Sequence, residues 1–289
     1  MFRRIIVGAD GYSGGPDALC LAATLAADGA ELVLADAYPE RPPLNRAALD
    51  SYEAMLRDDA RAVLGARRPG ARVEVRVEAV ADASPEVALR VLAQREGADL
   101  IVIGPGRHGS RHLALLRRAT GCPVAVAPGG YSDLAAEPRA LGVGFDASPE
   151  AMAALRLAVE LAAALGARLH VRAVAEVRSP AAAQPGRFDC EQHERQARAL
   201  LARATAALDV PAEGDVVAGS PGKALQALSQ QVDILLTGAP GEAKSWRLLD
   251  GSPADWLLVH AGCPVIVVPQ DALRRRPAPP VAGVQAVRA

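Results

Sequence analysis

Asp99-Leu100-Ile101-Val102-Ile103-Gly104 and Asp233-Ile234-Leu235-Leu236-Thr237-Gly238 are one phrase written twice, 134 positions apart. After the acid each runs apolar without alternation, Leu100 to Ile103 in the first and Ile234 to Leu236 in the second, the pattern of a strand buried on both faces of a parallel sheet. The likeness extends outward. Ile5-Ile6-Val7-Gly8-Ala9-Asp10 matches Leu141-Gly142-Val143-Gly144-Phe145-Asp146 at an offset of 136, and Ser84-Pro85 keeps that offset to Ser220-Pro221. Cys122-Pro123-Val124 then matches Cys263-Pro264-Val265 at 141, so the later copy is longer by a net seven residues before its last strand. The chain is an internal repeat, and each copy must bury its own strands.

Each copy alternates short apolar runs with helical patterns. In the first, strands are expected near residues 3–9, 31–37, 72–79, 99–103 and 122–127, with helices near 14–28, 45–66, 84–97 and 110–120. In the second, strands are expected near 140–145, 168–175, 214–218, 233–237 and 263–268. This order predicts an α/β chain of two tandem open parallel-sheet domains with helices on both faces. The Gly-, Asp- and Pro-rich link from Gly129 to Arg139 marks the boundary, giving domains at 1–133 and 139–271 and a mobile tail at 272–289 that holds Pro277, Pro279 and Pro280. Two domains also suit 289 residues.

Composition narrows the function. Apolar residues make up 51% and charged residues 22%, which excludes a disordered chain. With 32 basic against 33 acidic residues the net charge is -1, so no global field draws the chain to nucleic acid or a membrane, and an anionic ligand must be caught locally. Mean hydropathy is +0.12, but no apolar run approaches the roughly 20 residues of a membrane span. Met1-Phe2-Arg3-Arg4-Ile5-Ile6-Val7 meets Asp10 before a secretory apolar segment forms, so a cytoplasmic protein without a signal peptide is expected. Cys20, Cys122, Cys190 and Cys263 have no metal-ligand or C-x-x-C spacing and read as reduced, mostly buried thiols.

In open α/β sheets ligands bind beyond the carboxyl ends of the strands. In the second copy the fourth strand runs into Gly238-Ala239-Pro240-Gly241, and Gly251-Ser252-Pro253 then opens a helix. Glycines let the backbone approach a phosphate closely, a helix N-terminus offers free N–H groups and positive charge, and Ser252 adds a hydroxyl. Lys244 and Arg247 add positive charge between them.

With this G-x2-G-x9-G-S pattern, Val143-Gly144-Phe145-Asp146-Ala147-Ser148, Gly219-Ser220-Pro221 and the closing Cys263-Pro264-Val265-Ile266-Val267-Val268, the chain resembles the universal stress protein family in both copies. The resemblance implies five-stranded parallel sheets of order 3-2-1-4-5, an adenine nucleotide alpha hydrolase-like fold, dimeric packing and, in one branch, ATP on the glycine loop. Carried over by position, it puts phosphates and ribose at Gly238, Gly241, Gly251 and Ser252, and adenosine at Asp146 and Val174. Pro253 departs from the pattern by removing one N–H donor facing the phosphates. Ser252-Pro253 also reads simply as a well-started helix.

The first copy has only five positions from Gly104 to Gly109, against thirteen from Gly238 to Gly251, so its loop is too short to wrap a triphosphate. Asp10, Arg107 and Arg111 leave room for a smaller anion or an adenosine fragment; a structural partner is the simpler reading.

Other patterns fail on context. Gly104-Pro105-Gly106-Arg107-His108-Gly109 fits G-x-G-x-x-G but follows the fourth strand, with no acid at the end of the next. Gly222-Lys223 is followed by Ala224, with Val217 where Walker A needs glycine, leaving Lys223 an exposed residue in a first turn. His108 and His112 stand four apart without a third ligand, so no metal site is expected. His170, His193 and His260 are isolated. No nucleophile elbow, Ser-His-Asp order or carboxylate pair marks a catalytic centre.

The sequence therefore predicts a tandem, internally pseudo-dimeric protein. It is expected to bind ATP or a related adenine nucleotide in its second domain, with or without Mg2+, and to act as a nucleotide-responsive regulator of stress response toward an unidentified protein partner. No nucleic acid or membrane partner is expected, and no catalytic residue. A nucleotide-free interaction scaffold and a slow ATPase using Lys244 or Arg247 are the alternatives. The fifth-strand edges are the place to look for a further homodimer.

Overall fold

The computed structural model describes residues 1–8, 15–38, 46–67, 72–81, 84–104, 121–133, 136–176, 187–206, 208–239 and 252–272. The first half runs β1 (Phe2–Gly8), α1 (Gly15–Leu25), β2 (Ala26–Tyr38), α2 (Arg46–Arg67), β3 (Val73–Ala81), α3 (Pro85–Glu96), β4 (Leu100–Ile103) and β5 (Val124–Val126). A 3-10 turn at Tyr131–Asp133 leads to β6 (Ala140–Phe145), α4 (Pro149–Leu165), β7 (Arg168–Glu176), α5 (Arg187–Thr205), β8 (Ala212–Gly219), α6 (Pro221–Ser229), β9 (Ile234–Gly238), α7 (Pro253–His260) and β10 (Val265–Val268). The expected helix at 110–120 lies outside the described residues, as do residues 273–289 of the expected tail. Its first residue, Ala272, is buried and donates its N–H to the Pro269 carbonyl.

The strands form one ten-stranded sheet in the order β3-β2-β1-β4-β5-β10-β9-β6-β7-β8. Each half has the 3-2-1-4-5 order with parallel pairing throughout. The halves are joined by an antiparallel pair, where Val265, Ile266 and Val267 lie opposite Val126, Ala125 and Val124. The fifth-strand edges, expected as a surface for a second copy, are thus used up within the chain, and β3 and β8 form the outer edges. Two short apolar strands that would each be an unpaired edge satisfy each other instead.

One face of the sheet carries a single apolar core that runs through both halves under α1, α2, α4 and α5. The opposite face has two separate cores, one around Leu89 and Leu92 of α3 and one around Leu225, Leu228 and Leu257 of α6 and α7. The repeated aspartates have a structural reason. Asp99 accepts the N–H groups of Arg3 and Arg4 at 2.8 and 3.0 Å, and Asp233 accepts those of Arg139 and Ala140 at 2.7 and 2.8 Å. Each ties the start of a central strand to the turn before its neighbour.

Two readings shift. The first helix ends at Leu25 rather than near residue 28, and β2 begins at once at Ala26, with Gly29 at φ 74° inside that strand. The expected linker is docked: Tyr131 is buried, and the Asp17 carboxylate of α1 accepts Gly130 and Ser132 N–H at 3.0 and 2.7 Å. Arg67 lies 5.7 Å from the Tyr131 ring and donates to the carbonyls of Tyr131 and Ser132. Cys20, Cys122 and Cys263 are buried thiols, and burial pushes the pKa of Cys263 up to about 12. Among the described residues no helix is long and apolar enough to cross a membrane.

Candidate functional site

β6 and β7 are parallel neighbours with Phe145 opposite Ala173, so their carboxyl ends finish level. Between those ends and α5 lies a cavity of about 260 Å³ lined by Phe145, Asp146, Ala173, Val174, Ala175, His193, Gln196, Ala197 and Leu200. Asp146 and Val174, expected from the sequence, are brought together here. The walls are mainly apolar, with Asp146, His193 and Gln196 as the polar side chains among the described residues.

Asp146 is oriented by its own backbone: its Oδ1 accepts the Ser148 N–H at 2.9 Å, and the intervening Ala147 sits at φ 60°. Ser148 then caps α4, its Oγ accepting the Ala151 N–H at 3.2 Å, while Pro149 occupies the first turn, where it costs no hydrogen bond. The strand thus turns sharply into a helix and leaves an exposed carboxylate at the cavity edge.

Gly238 ends β9, one strand over from Asp146 on the side away from Val174. A Cβ there would stand 2.8 Å from the Ala151 nitrogen and from the Glu150 carbonyl carbon, so the first turn of α4 packs directly on this glycine. Its lack of a side chain has a packing cause. Gly241 and Gly251 lie outside the described residues, as do Lys244 and Arg247.

Ser252 is the N-cap of α7. Its Oγ accepts the Asp255 N–H at 3.1 Å and donates to Asp255 Oδ2 at 2.7 Å, and the same carboxylate oxygen accepts the Ser252 N–H at 3.2 Å. This reciprocal capping box occupies the hydroxyl. Asp255 was not singled out above, although Ser252-Pro253-Ala254-Asp255 is the S-x-x-D signature of such a box. His193 and Gln196 were also missed as a pair; their signal is the i, i+3, i+4, i+7 spacing of residues 193, 196, 197 and 200 on one helix face.

Other expectations fall away from this site. Lys223 is exposed in the first turn of α6, and the neighbouring Gly222 makes room for the Trp256 ring, whose Nε1 donates to Gln226 Oε1 at 3.0 Å. His260 stacks on Trp256 with centroids 3.9 Å apart. His170 places Nε2 3.2 Å from Asp215 on β8. In the first half Gly104 follows β4, while Asp10, Arg107, His108, Arg111 and His112 lie outside the described residues. Among the described residues no group of three or more His, Cys, Asp and Glu side chains is placed to hold a metal ion.

A parallel 3-2-1-4-5 sheet repeated in tandem, with a cavity beyond the carboxyl ends of a half's first two strands, defines an open α/β architecture. The universal stress protein family model matches residues 1–126 and again 138–269, and the chain belongs to that family. Among solved structures it is similar to a universal stress protein from Archaeoglobus fulgidus DSM 4304. That match has 15% identity and a TM-score of 0.65, covering 92% of this chain and 96% of the other. It is also similar to a Pseudomonas aeruginosa UCBPP-PA14 protein carrying the universal stress protein name, at 16% identity and TM-score 0.58, covering 95% and 96%. At these identities the likeness speaks for the fold. No curated protein matches the chain.

Proposed function

We propose that the second half binds ATP or a related adenine nucleotide and that occupancy makes the chain a nucleotide-responsive regulator in stress response. The observation that carries this is the cavity beyond β6 and β7, which puts the Asp146 carboxylate and Val174 beside apolar walls. In this reading the phosphates face Gly238, Gly241, Gly251 and Ser252 at the N-terminus of α7, where helix polarity favours an anion. Asp146 faces the sugar and Val174 the base. No resident metal is needed, and no bond is broken. A ligand at about 100 times its Kd stabilises the form that binds it by about 2.7 kcal/mol, enough to bias which surfaces the chain presents.

The test is calorimetry of ATP with the full chain and with Gly241→Asp, together with mass identification of any small molecule released on denaturation. ATP heat that Gly241→Asp abolishes supports the proposal; equal heats, or none, overturn it. The capping box favours a second reading, a nucleotide-free interaction scaffold in which Ser252 serves only its helix. Ser252→Ala then costs about 1 kcal/mol of stability and leaves ATP affinity untouched, whereas under the first reading affinity falls as well.

A further inference from the structure

The strand order gives the direction in which a nucleotide would lie. β9, β6 and β7 are successive neighbours, each about 4.8 Å from the next. With phosphates beyond β9 at α7, the sugar comes to Asp146 beyond β6, and the base reaches the end of β7 against α5. There the cavity offers apolar walls: Phe145, Val174, Ala197 and Leu200. Leu200 is 38% exposed, one of few large apolar side chains on the described surface, and a base would cover it.

We propose that Gln196 reads the base, pairing its side-chain amide with the 6-amino group of adenine and the adjacent ring nitrogen. This rests on the nucleotide reading above. Of the three polar side chains that line the cavity among the described residues, Asp146 as a carboxylate only accepts, and His193 carries its two ring nitrogens on opposite flanks. Gln196 alone sets a donor and an acceptor side by side, the complement of adenine's amino group next to an acceptor nitrogen. The amide stands on the α5 face that also supplies Ala197 and Leu200, so the residues that hold the base flat also aim its edge.

The test measures binding of ATP and of purine riboside triphosphate, which lacks the 6-amino group, to the full chain by calorimetry. One hydrogen bond at an open edge is worth about fivefold in affinity, and ATP is expected to bind about that much more tightly. Gln196→Leu is expected to remove the preference, and Gln192→Leu, exposed on the same helix, to keep it. Circular dichroism checks that both variants fold. Equal binding of the two ligands to the unaltered chain, a preference that survives Gln196→Leu, or one lost in Gln192→Leu overturns the role of Gln196 alone. Failure of ATP to bind overturns the nucleotide reading and this inference with it.

Discussion

Arg172 and Asp215 lie directly opposite each other on β7 and β8, and the guanidinium grips the carboxylate through Nε at 3.0 Å and Nη2 at 2.7 Å. Arg172 is buried and also donates through Nη1 to the Ala224 carbonyl of α6, so the pair ties the outer strand to the helix above it. Burial pulls the Asp215 carboxyl upward, but the hydrogen bonds and charge of Arg172, with His170, pull it further down, below its ordinary value.

Asp215→Ala is expected to destabilise the chain by about 2 kcal/mol. That is less than the 3–5 kcal/mol of a fully buried pair, because the aspartate side is more than a third exposed. A carboxylate whose pKa is lowered by folding contributes fully above its unfolded value of about 4, and loses that contribution as pH falls through the lower folded value. Urea unfolding from pH 7 to 3 checks this: the gap between the unaltered chain and Asp215→Asn is expected to stay flat above about pH 5 and shrink below about pH 4.

Gly238→Ala is expected to cost about 2 kcal/mol in the absence of any ligand, since the new methyl meets backbone of α4 rather than a side chain that can swing away. Thermal unfolding of the ligand-free variant reads this out. An unchanged melting temperature would mean that the glycine serves only the ligand.

Ala147 holds φ 60°, which an alanine adopts at a cost of about 1 kcal/mol, and the corresponding residue of the first copy is Gly11. Ala147→Gly is therefore expected to be neutral to stabilising, by up to about 1 kcal/mol or some 2–4 °C in Tm. Differential scanning calorimetry checks the sign; alanine-to-glycine changes elsewhere generally destabilise.

Asp17→Ala strands the Gly130 and Ser132 N–H groups that the carboxylate now accepts. A loss of about 1–3 kcal/mol is expected. Limited proteolysis is expected to cut between Pro128 and Arg139 sooner than in the unaltered chain.

The repeat made most of this architecture legible. Runs such as Leu100–Ile103 and Val265–Val268 are apolar on both faces because the sheet is covered on both, and that pattern needs no tertiary information. Asp146 and Val174 came from the family resemblance carried over by position, and the structure puts both on the lining of one cavity. The α5 face was not legible, since His193 and Gln196 read as ordinary polar residues until the helix is laid across β7. Nor was the β5–β10 join: an apolar strand edge shows that it needs a partner, but not whether the partner comes from the same chain. Gly238 and Ser252 carried two meanings, and only packing distances reveal that α4 and Asp255 already engage them.

The antiparallel seam at Val126 and Val265 has a genetic consequence. In a twofold dimer of identical subunits every substitution appears twice, so a change that spoils one hollow spoils both. Here the two sides are encoded separately, so a change in one half leaves the other half's sequence as it was. Gly104 to Gly109 spans five positions and Gly238 to Gly251 thirteen, a difference between the two sides that a dimer of identical subunits has no means to encode.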